Sequence, residues 1–469
     1  MGIRKKAQKS ILTLCLAMMV AVANLLPAGA AFNHLLKDVP LLSGQSEIFL
    51  LISLDDSSVI FSQNETMRSA PASLTKIVTA ILVLEHAEDL NEVIAVPAHC
   101  ISMFHGMNSA HMGTRIGEEL TVEQLLYGMM LQSANEAAAT LAEHIAGSQE
   151  AFVDMMNAFV QSLGLVDTRF ANAHGLDEEG HYSTAADMAA ITRYALDRGF
   201  RGNALFEKII GSLRHPIPET NMMGQRNLLN TNRMLNRYFP DYFMASAAGV
   251  KTGTTDDAGQ CIVAMASQGG FSYLCIVMRG QNVMLPHQPR WLLNTAKVDA
   301  KALLEWSFEN IRMRQVTETD KAVADIPVDM ARSTDRVQLV PERVIFAYVP
   351  DGVNAGNVLI EPIPELMPER LAAPVAKGEP VGWARILYAG NEFARVELVA
   401  AEDVGRSATM YFIALASQAV RSPIAGALLA GIIAAAGIYL AVILHQQRKK
   451  RREKQLRVVP DVTAKQRKR

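Results

Sequence analysis

The chain has 469 residues, which is enough for two or three domains, and a formal net charge of −2. Half of its residues are hydrophobic and a fifth are charged, so the chain can bury a sizeable core. The near-neutral charge gives no indication of a nucleic-acid partner, and we predict none.

Residues 1–30 predict a secretory signal peptide. Four basic residues precede the apolar stretch from Ile11 to Leu26, and residues 28–30 (Ala-Gly-Ala) fit a cleavage site of small residues. The mature chain is therefore expected to begin at Ala31. The alternative is an uncleaved membrane anchor, for which the apolar run is short.

The next segment predicts a β-hairpin followed by a buried helix. Residues 47–54 and 59–61 are apolar strands separated by Asp-Asp-Ser-Ser. A proline and small residues then lead into the apolar run 77–84, which is long enough for a helix. Ser73 and Lys76 lie near its start, and their spacing of three places both side chains on one helical face. A neutral lysine there could take the serine proton and make a nucleophile, although this motif alone also occurs by chance.

A helical middle and a second hairpin follow. Apolar strands at 261–267 and 271–278, joined by Gly-Gly, predict the hairpin, and residues 297–308 predict a helix after it. Strands at both ends of this region flank the helices, which predicts an α+β fold, an antiparallel sheet with packed helices and an inserted α-helical cluster. Four segments of the middle have helical periodicity: 122–132, 136–146, 150–163 and 184–198.

The cysteine count argues against a disulfide framework. Cys15 leaves with the signal peptide, so the exported chain retains three cysteines, an odd number. Cys261 and Cys275 lie on the two strands of the second hairpin and could bridge. They fit equally well as small buried hydrophobic residues.

The character of the chain changes near residue 312. We predict that the domain spanning residues 31–312 ends there. Between 313 and 405, short alternating runs punctuated by glycines and prolines predict a small all-β domain. A linker is expected at 406–423.

The C-terminal region predicts a membrane anchor. Residues 424–444 are apolar without a charge, about the length that a bilayer requires. Five basic residues follow at 448–452, so the positive-inside rule places the tail, 445–469, in the cytoplasm near anionic lipid. Everything before residue 424 is then extracytoplasmic, and the protein is a single-pass protein of the cell membrane. The alternative, a buried core helix, does not explain the basic flank.

Two further short motifs accompany the first. Ser133-x-Asn135 lies between two predicted helices, and Lys251-Thr252-Gly253 leads into the second hairpin. Alone, each has an ordinary interpretation as a helix cap, a turn or the start of a surface strand. However, Ser-x-x-Lys and Lys-Thr-Gly each occur once, and the three motifs come in order on a helix start, a loop and a strand.

Together the motifs resemble the signature of the penicillin-binding serine acyl-transferase family. The linking segments are similar to its low-molecular-mass D-alanyl-D-alanine carboxypeptidases. The resemblance covers residues 45–310 well and the β domain more weakly, and it implies a β-lactamase/transpeptidase-like fold. The segments that carry it, besides the motifs, are 125–131, 168–177, 181–185, 230–232, 255–259 and 373–378.

The resemblance implies a reaction on peptidoglycan stem peptides. Ser73 would attack the carbonyl between the two terminal D-alanines, and Lys76 would take its proton. Ser133 would relay a proton to the leaving amine. The N–H groups of Ser73 and Thr254 would form the oxyanion hole.

The same resemblance implies how the substrate is held. Asn135 would bind the substrate amide, and Lys251 and Thr252 would bind its terminal carboxylate. Gly253 would let the strand approach the substrate. No cofactor and no metal are expected, and β-lactams are expected to act as covalent inhibitors.

Three other functions use some of the same features. A β-lactamase shares the motifs but needs a glutamate for deacylation, and no convincing Glu-x-x-Leu-Asn is present. A zinc D,D-peptidase could use His174 and His181, although their spacing is not that of a helical ligand pair. A β-lactam-sensing or peptidoglycan-binding ectodomain would need an output domain, for which the tail of about 25 residues is too short.

Overall fold

The structure is a computed structural model. It describes residues 44–285, 288–388, 390–413 and 423–456. The predicted signal peptide lies outside the described residues, and the predicted linker and cytoplasmic tail lie partly outside them.

A five-stranded antiparallel sheet forms the centre of the first compact unit. Its spatial order is β2-β1-β9-β8-β7, so the first hairpin pairs with the last. Gly269 and Gly270 both have positive φ in the β8–β9 turn, as a two-residue hairpin requires. Both predicted hairpins are confirmed. The strands are β1 (Ile48–Ser53), β2 (Val59–Gln63), β3 (Val93–Ala95), β4 (Glu119–Thr121), β5 (Arg214–Ile217), β6 (Arg226–Leu229), β7 (Ala247–Thr255), β8 (Gly259–Gln268) and β9 (Phe271–Gly280).

The sequence between the two hairpins is mainly helical, as predicted, with the short strands β3 to β6 among the helices. Thr121 caps the helix after it through a capping box, and Ser148 and Thr184 cap two others with their side chains. The sequence analysis missed two short helices, 98–102 and 203–210. The helices are α1 (Lys76–His86), α2 (Ala98–Ser102), α3 (Val122–Leu131), α4 (Asn135–Ala146), α5 (Gln149–Ser162), α6 (Ala185–Leu196), α7 (Asn203–Ile210) and α8 (Thr295–Asn310).

The sheet is buried on both faces, because alternate side chains of each strand enter two different cores. Leu50 of β1 packs with the helical cluster, whereas its neighbour Leu51 packs on the side of α8. The same alternation decides the question of the disulfide. Cys261 belongs to the first core and Cys275 to the second, so the sheet separates them, and both thiols are free.

Beyond α8 the described chain continues as strands and one short 3₁₀ helix (Pro364–Leu366) as far as residue 400. The first compact unit includes residues 343–361 and 384–396, and the second comprises 320–342, 362–383 and the chain from 397. The predicted domain boundaries stay predictions. The remaining strands are β10 (Asn282–Leu285), β11 (Gln288–Asn294), β12 (Ile311–Gln315), β13 (Ala324–Asp329), β14 (Arg336–Pro341), β15 (Phe346–Pro350), β16 (Leu359–Pro362), β17 (Leu371–Ala372), β18 (Pro380–Tyr388) and β19 (Asn391–Ala400).

A long helix, α9 (Pro423–Leu456), ends the described chain. The most apolar window of its segment Gly426–Arg452 has a mean hydropathy of 2.6, and none of that window is buried. By length and composition it is a candidate for crossing a membrane, and it contains most of the predicted span.

Candidate active site

The first motif lies where the chain turns into α1. Ser73 belongs to a 3₁₀ turn, Ala72–Thr75, rather than to the α-helix that the sequence predicted. Ala72 has a φ of +50°, an uncommon value for a residue with a side chain. The helix itself begins at Lys76, whose Nζ donates to Ser73 Oγ over 3.0 Å. The predicted contact between this serine and this lysine is therefore present.

Lys76 is fully buried and held by three acceptors. Besides Ser73 Oγ, its ammonium donates to Asn135 Oδ1 at 2.7 Å and to the carbonyl of His174. Burial and the nearby charge of Lys251 hold the pKa of Lys76 well below its usual range. The amine can therefore exist in the neutral form that accepts a proton.

A second serine–lysine pair faces the first. Ser133 has a φ of +61° in the loop between α3 and α4, and its Oγ accepts from Lys251 Nζ over 3.0 Å. Lys251 also donates to the Thr252 carbonyl at 2.8 Å. Burial and the charge of Lys297 lower the pKa of Lys251 to about 7. The proton of this lysine is therefore easily gained and lost near neutral pH.

Strand β7 brings the third motif to Ser73. A Cβ added to Gly253 would lie 3.0 Å from Ala72 Cβ and 3.1 Å from the Ser73 nitrogen, so a side chain here would push the turn of Ser73 away from the strand. Thr252 Oγ1 pairs with Thr231 Oγ1 at 2.8 Å. Because β7 ends the order of the sheet, its outer edge can pair with an extended peptide.

Thr254 follows as an exposed residue on the same strand. Its hydroxyl donates to Gln260 Oε1 at 2.9 Å, so the side chain is tied back to β8. All eight residues singled out from the sequence therefore lie on the elements that meet at Ser73.

Two buried histidines contact the first motif from the segment that packs against it, a role that the sequence analysis did not assign. His181 Nδ1 accepts from the Ala171 N–H at 3.0 Å, so its Nε2 carries the proton that it donates to Thr75 Oγ1 at 2.8 Å. Thr75 Oγ1 in turn donates to the Ala72 carbonyl at 2.8 Å. Burial lowers the pKa of His181 to about 4 and that of His174 to about 3. With both nitrogens of His181 engaged, this histidine is a structural support, which weakens the zinc-peptidase alternative.

A cationic group beside Lys251 was also missed. Lys297 on α8 is half-buried, and burial together with Arg233 lowers its pKa to about 8. The Arg233 guanidinium lies over the Phe239 ring at 4.5 Å. Three cations thus gather near the Thr252 end of the site, an arrangement suited to an anionic group. Lys297 carries no motif, so the sequence offered no signal for it.

Comparisons with known families cover both parts of the chain. The family model described as D-alanyl-D-alanine carboxypeptidase, peptidase S11, matches residues 37–282. The model of the C-terminal domain of penicillin-binding protein 5 matches residues 312–406.

Individual relatives agree with these matches. The chain is 30% identical over 374 residues to the D-alanyl-D-alanine carboxypeptidase DacA of Escherichia coli, covering 76% of this chain and 83% of that one. It is 28% identical over 376 residues to DacF of Bacillus subtilis, covering 79% and 89%. The crystal structure of penicillin-binding protein 5 from Haemophilus influenzae matches with a TM-score of 0.54 and 26% identity, covering 77% of this chain and 98% of that one. The fold class implied by the resemblance, including an all-β C-terminal domain, is confirmed.

Proposed function

Because this chain belongs to the D-alanyl-D-alanine carboxypeptidase family S11 of serine peptidases, we propose that it removes the terminal D-alanine from peptidoglycan pentapeptide stems through an acyl-enzyme on Ser73. The observation that carries the proposal is the contact of 3.0 Å between Ser73 Oγ and a buried lysine with a lowered pKa. The predicted stem-peptide substrate and the covalent inhibition by β-lactams follow from the same nucleophile.

Acylation starts with transfer of the Ser73 proton to neutral Lys76. Ser73 Oγ forms a bond to the carbonyl carbon between the two D-alanines, and the carbonyl oxygen takes the electron pair. We assign the oxyanion hole to the N–H groups of Ser73 and Thr254. The close approach of β7, which the lack of a side chain at Gly253 permits, supports this assignment.

The leaving group departs on the side of Lys251. The tetrahedral intermediate collapses, the C–N bond breaks, and the amine takes the proton that Lys76 received from Ser73. We route this proton through Ser133, whose Oγ lies 3.0 Å from Lys251 Nζ. Water then hydrolyses the ester and regenerates Ser73. Each step uses side chains of this chain alone, and the expectation that no metal or cofactor takes part stays a prediction.

The substrate is held by charge and by the strand edge. We assign Lys251 and Thr252 to the terminal carboxylate, which favours the ammonium form of the lysine. Asn135, which already accepts from Lys76, would donate its amide N–H to the carbonyl of the stem peptide. The stem itself would extend along β7.

We also propose that α9 anchors the enzyme in the cytoplasmic membrane, with the catalytic domain outside and the basic tail in the cytoplasm. The apolar segment Gly426–Arg452 and the basic residues at its end support this topology. Membrane fractionation tests it: the full chain should stay with the membrane in high salt, and a chain ending before residue 423 should not.

D-alanine release from a peptide ending in D-Ala-D-Ala tests the activity. The detergent-solubilised full chain should release D-alanine with a chelator present, and Ser73→Ala should release none. A folded enzyme that forms a lasting penicillin adduct without releasing D-alanine would instead be a sensor. Rapid turnover of penicillin would instead indicate a β-lactamase.

A further inference from the structure

Three side chains that bind metals in other proteins meet away from the active site. His99 and Cys100 lie on α2, and Glu143 lies on α4. His99 Nε2 is 2.5 Å from Glu143 Oε2, and Cys100 Sγ donates to the same oxygen across 3.7 Å. One ligand atom from each residue lies within 4.8 Å of the other two. None of the three takes part in the proposed reaction.

The donor set is typical of Zn²⁺. Imidazole nitrogen, thiolate sulfur and carboxylate oxygen bind this ion tetrahedrally at about 2.0–2.3 Å, which places neighbouring ligand atoms about 3.3–3.6 Å apart. The Cys100–Glu143 separation of 3.7 Å lies just above that range, and the hydrogen-bonded His99–Glu143 pair, now 2.5 Å apart, must open by about 1 Å to admit the ion. Ca²⁺ and Mg²⁺ prefer oxygen ligands and fit this set poorly.

The burial of the three residues gives the site a closed and an open side. The Cys100 side chain is fully buried against Phe104 and Ala139, whereas His99 is exposed. An ion would therefore bind between the buried sulfur and the solvent, with its fourth position open to water. A thiolate and a carboxylate together carry two negative charges, which a divalent cation cancels.

The thiol is protonated without an ion. Cys100 Sγ donates a hydrogen bond to Glu143 Oε2, which holds the proton on the sulfur. A bound divalent cation reverses this preference, because it coordinates the thiolate. Ion binding must therefore release a proton from this site.

We propose that His99, Cys100 and Glu143 form a zinc-binding site with three protein ligands. Binding makes one bond from each of the three donor atoms to the ion. The proton that His99 Nε2 shares with Glu143 moves to Nδ1 of the same ring by tautomerisation, and the thiol proton passes to solvent. The ion would fix α2 to α4. Phe104, just after α2, packs edge-on against the His174 ring with centroids 4.9 Å apart, so the site stiffens a segment next to a carbonyl that holds Lys76.

Cobalt titration of the reduced, metal-free full chain tests the proposal, because Co²⁺ takes the place of Zn²⁺ and absorbs light. We expect one Co²⁺ per chain, displaced by Zn²⁺, with a thiolate-to-cobalt absorption band in the near ultraviolet. About one proton per ion should be released at pH 7. Cys100→Ser should abolish the band, and His99→Asn and Glu143→Gln should each weaken binding at least tenfold.

His105→Asn is the matched control, since His105 is an exposed histidine in the following turn and lies outside the cluster. It should bind Co²⁺ as the unaltered chain does. Labelling of Ser73 by penicillin reports whether each variant folds. If Cys100→Ser does not fold, the other two variants, which keep the thiol, decide the outcome. A missing thiolate band, or binding that neither His99→Asn nor Glu143→Gln weakens, overturns the proposal.

Discussion

The Thr75 hydroxyl ties the turn that carries Ser73 to the segment behind it, and Thr75→Val removes that tie while keeping the shape of the side chain. Thr75 is fully buried. Its Oγ1 donates to the Ala72 carbonyl and accepts from His181 Nε2, both at 2.8 Å. In the valine variant the carbonyl and the imidazole N–H both lose this partner inside the protein.

The loss of stability follows from the Ala72 carbonyl and the His181 N–H, which both lose a hydrogen-bond partner. A buried polar group left without a partner costs about 1–3 kcal/mol, so we expect Thr75→Val to lower the free energy of unfolding by about 2–6 kcal/mol. Because Ala72 directly precedes Ser73 and has a positive φ, a loosened turn should also slow acylation, by tenfold or more.

Thr192→Val is the matched control. Thr192 is equally buried, but its hydroxyl donates only to the Met188 carbonyl of its own helix, at 2.7 Å. That carbonyl belongs to the helical ladder, so the loss should stay within about 1 kcal/mol. Urea unfolding measures the stability of both variants, and fluorescent penicillin measures their acylation rates. Equal losses in the two variants, or unchanged acylation in Thr75→Val, would refute the reasoning.

Further predictions concern charge, space and pH. Lys297→Met removes a positive neighbour and so raises the pKa of Lys251. The alkaline limb of the pH profile of kcat/KM for a D-Ala-D-Ala peptide should therefore move to higher pH. A limb that does not move would contradict the assignment of Lys251 to the substrate carboxylate. Gly253→Ala should slow penicillin acylation at least tenfold, because its Cβ would press on the turn of Ser73, whereas Gly224→Ala, with open space around it, should leave the rate unchanged. His181 has a pKa of about 4 in the folded protein and about 6.5 in the unfolded chain, so the unfolded state binds more protons below pH 6.5. The free energy of unfolding should therefore fall as the pH is lowered from 6.5 to 4, and it should fall less in His181→Gln. Urea unfolding at each pH measures both.

The sequence predicts the parts of the site that are local in the chain. Ser73 and Lys76 touch because they are three positions apart at a helix start. The hairpin strands that carry Lys251 are equally local, since their apolar runs and their Gly-Gly turn are continuous in sequence. Short motifs therefore predicted which elements meet at Ser73, and the family resemblance that they carry predicted the fold class. The roles of the eight residues stay predictions.

The parts that the sequence did not predict depend on contacts between distant segments. Thr75 and His181 are 106 positions apart, and nothing in either segment marks the other as its partner. Lys297 lies on a helix whose periodicity predicts which of its side chains are buried. The periodicity does not predict that Lys297 lies near Lys251. Likewise, the turn at Ser73 meets a distant segment closely: a Cβ on Gly175 would lie 2.0 Å from the Ala72 carbonyl, an approach that neither segment reveals by itself.

The two buried lysines also give the proposed mechanism a sequence of protonation states. Burial disfavours the ammonium form of both, and the charge of Lys251 is the second cause of the lowered pKa of Lys76. A substrate carboxylate that binds Lys251 holds this lysine in its charged form. That charge then disfavours a second ammonium at Lys76, which is left neutral beside Ser73. A ligand with a terminal carboxylate thus helps to prepare the base that activates the attacking serine. A ligand without a carboxylate binds to an enzyme whose Lys251 is free to lose its proton. Selectivity for the carboxylate would then arise in the chemical step as well as in binding.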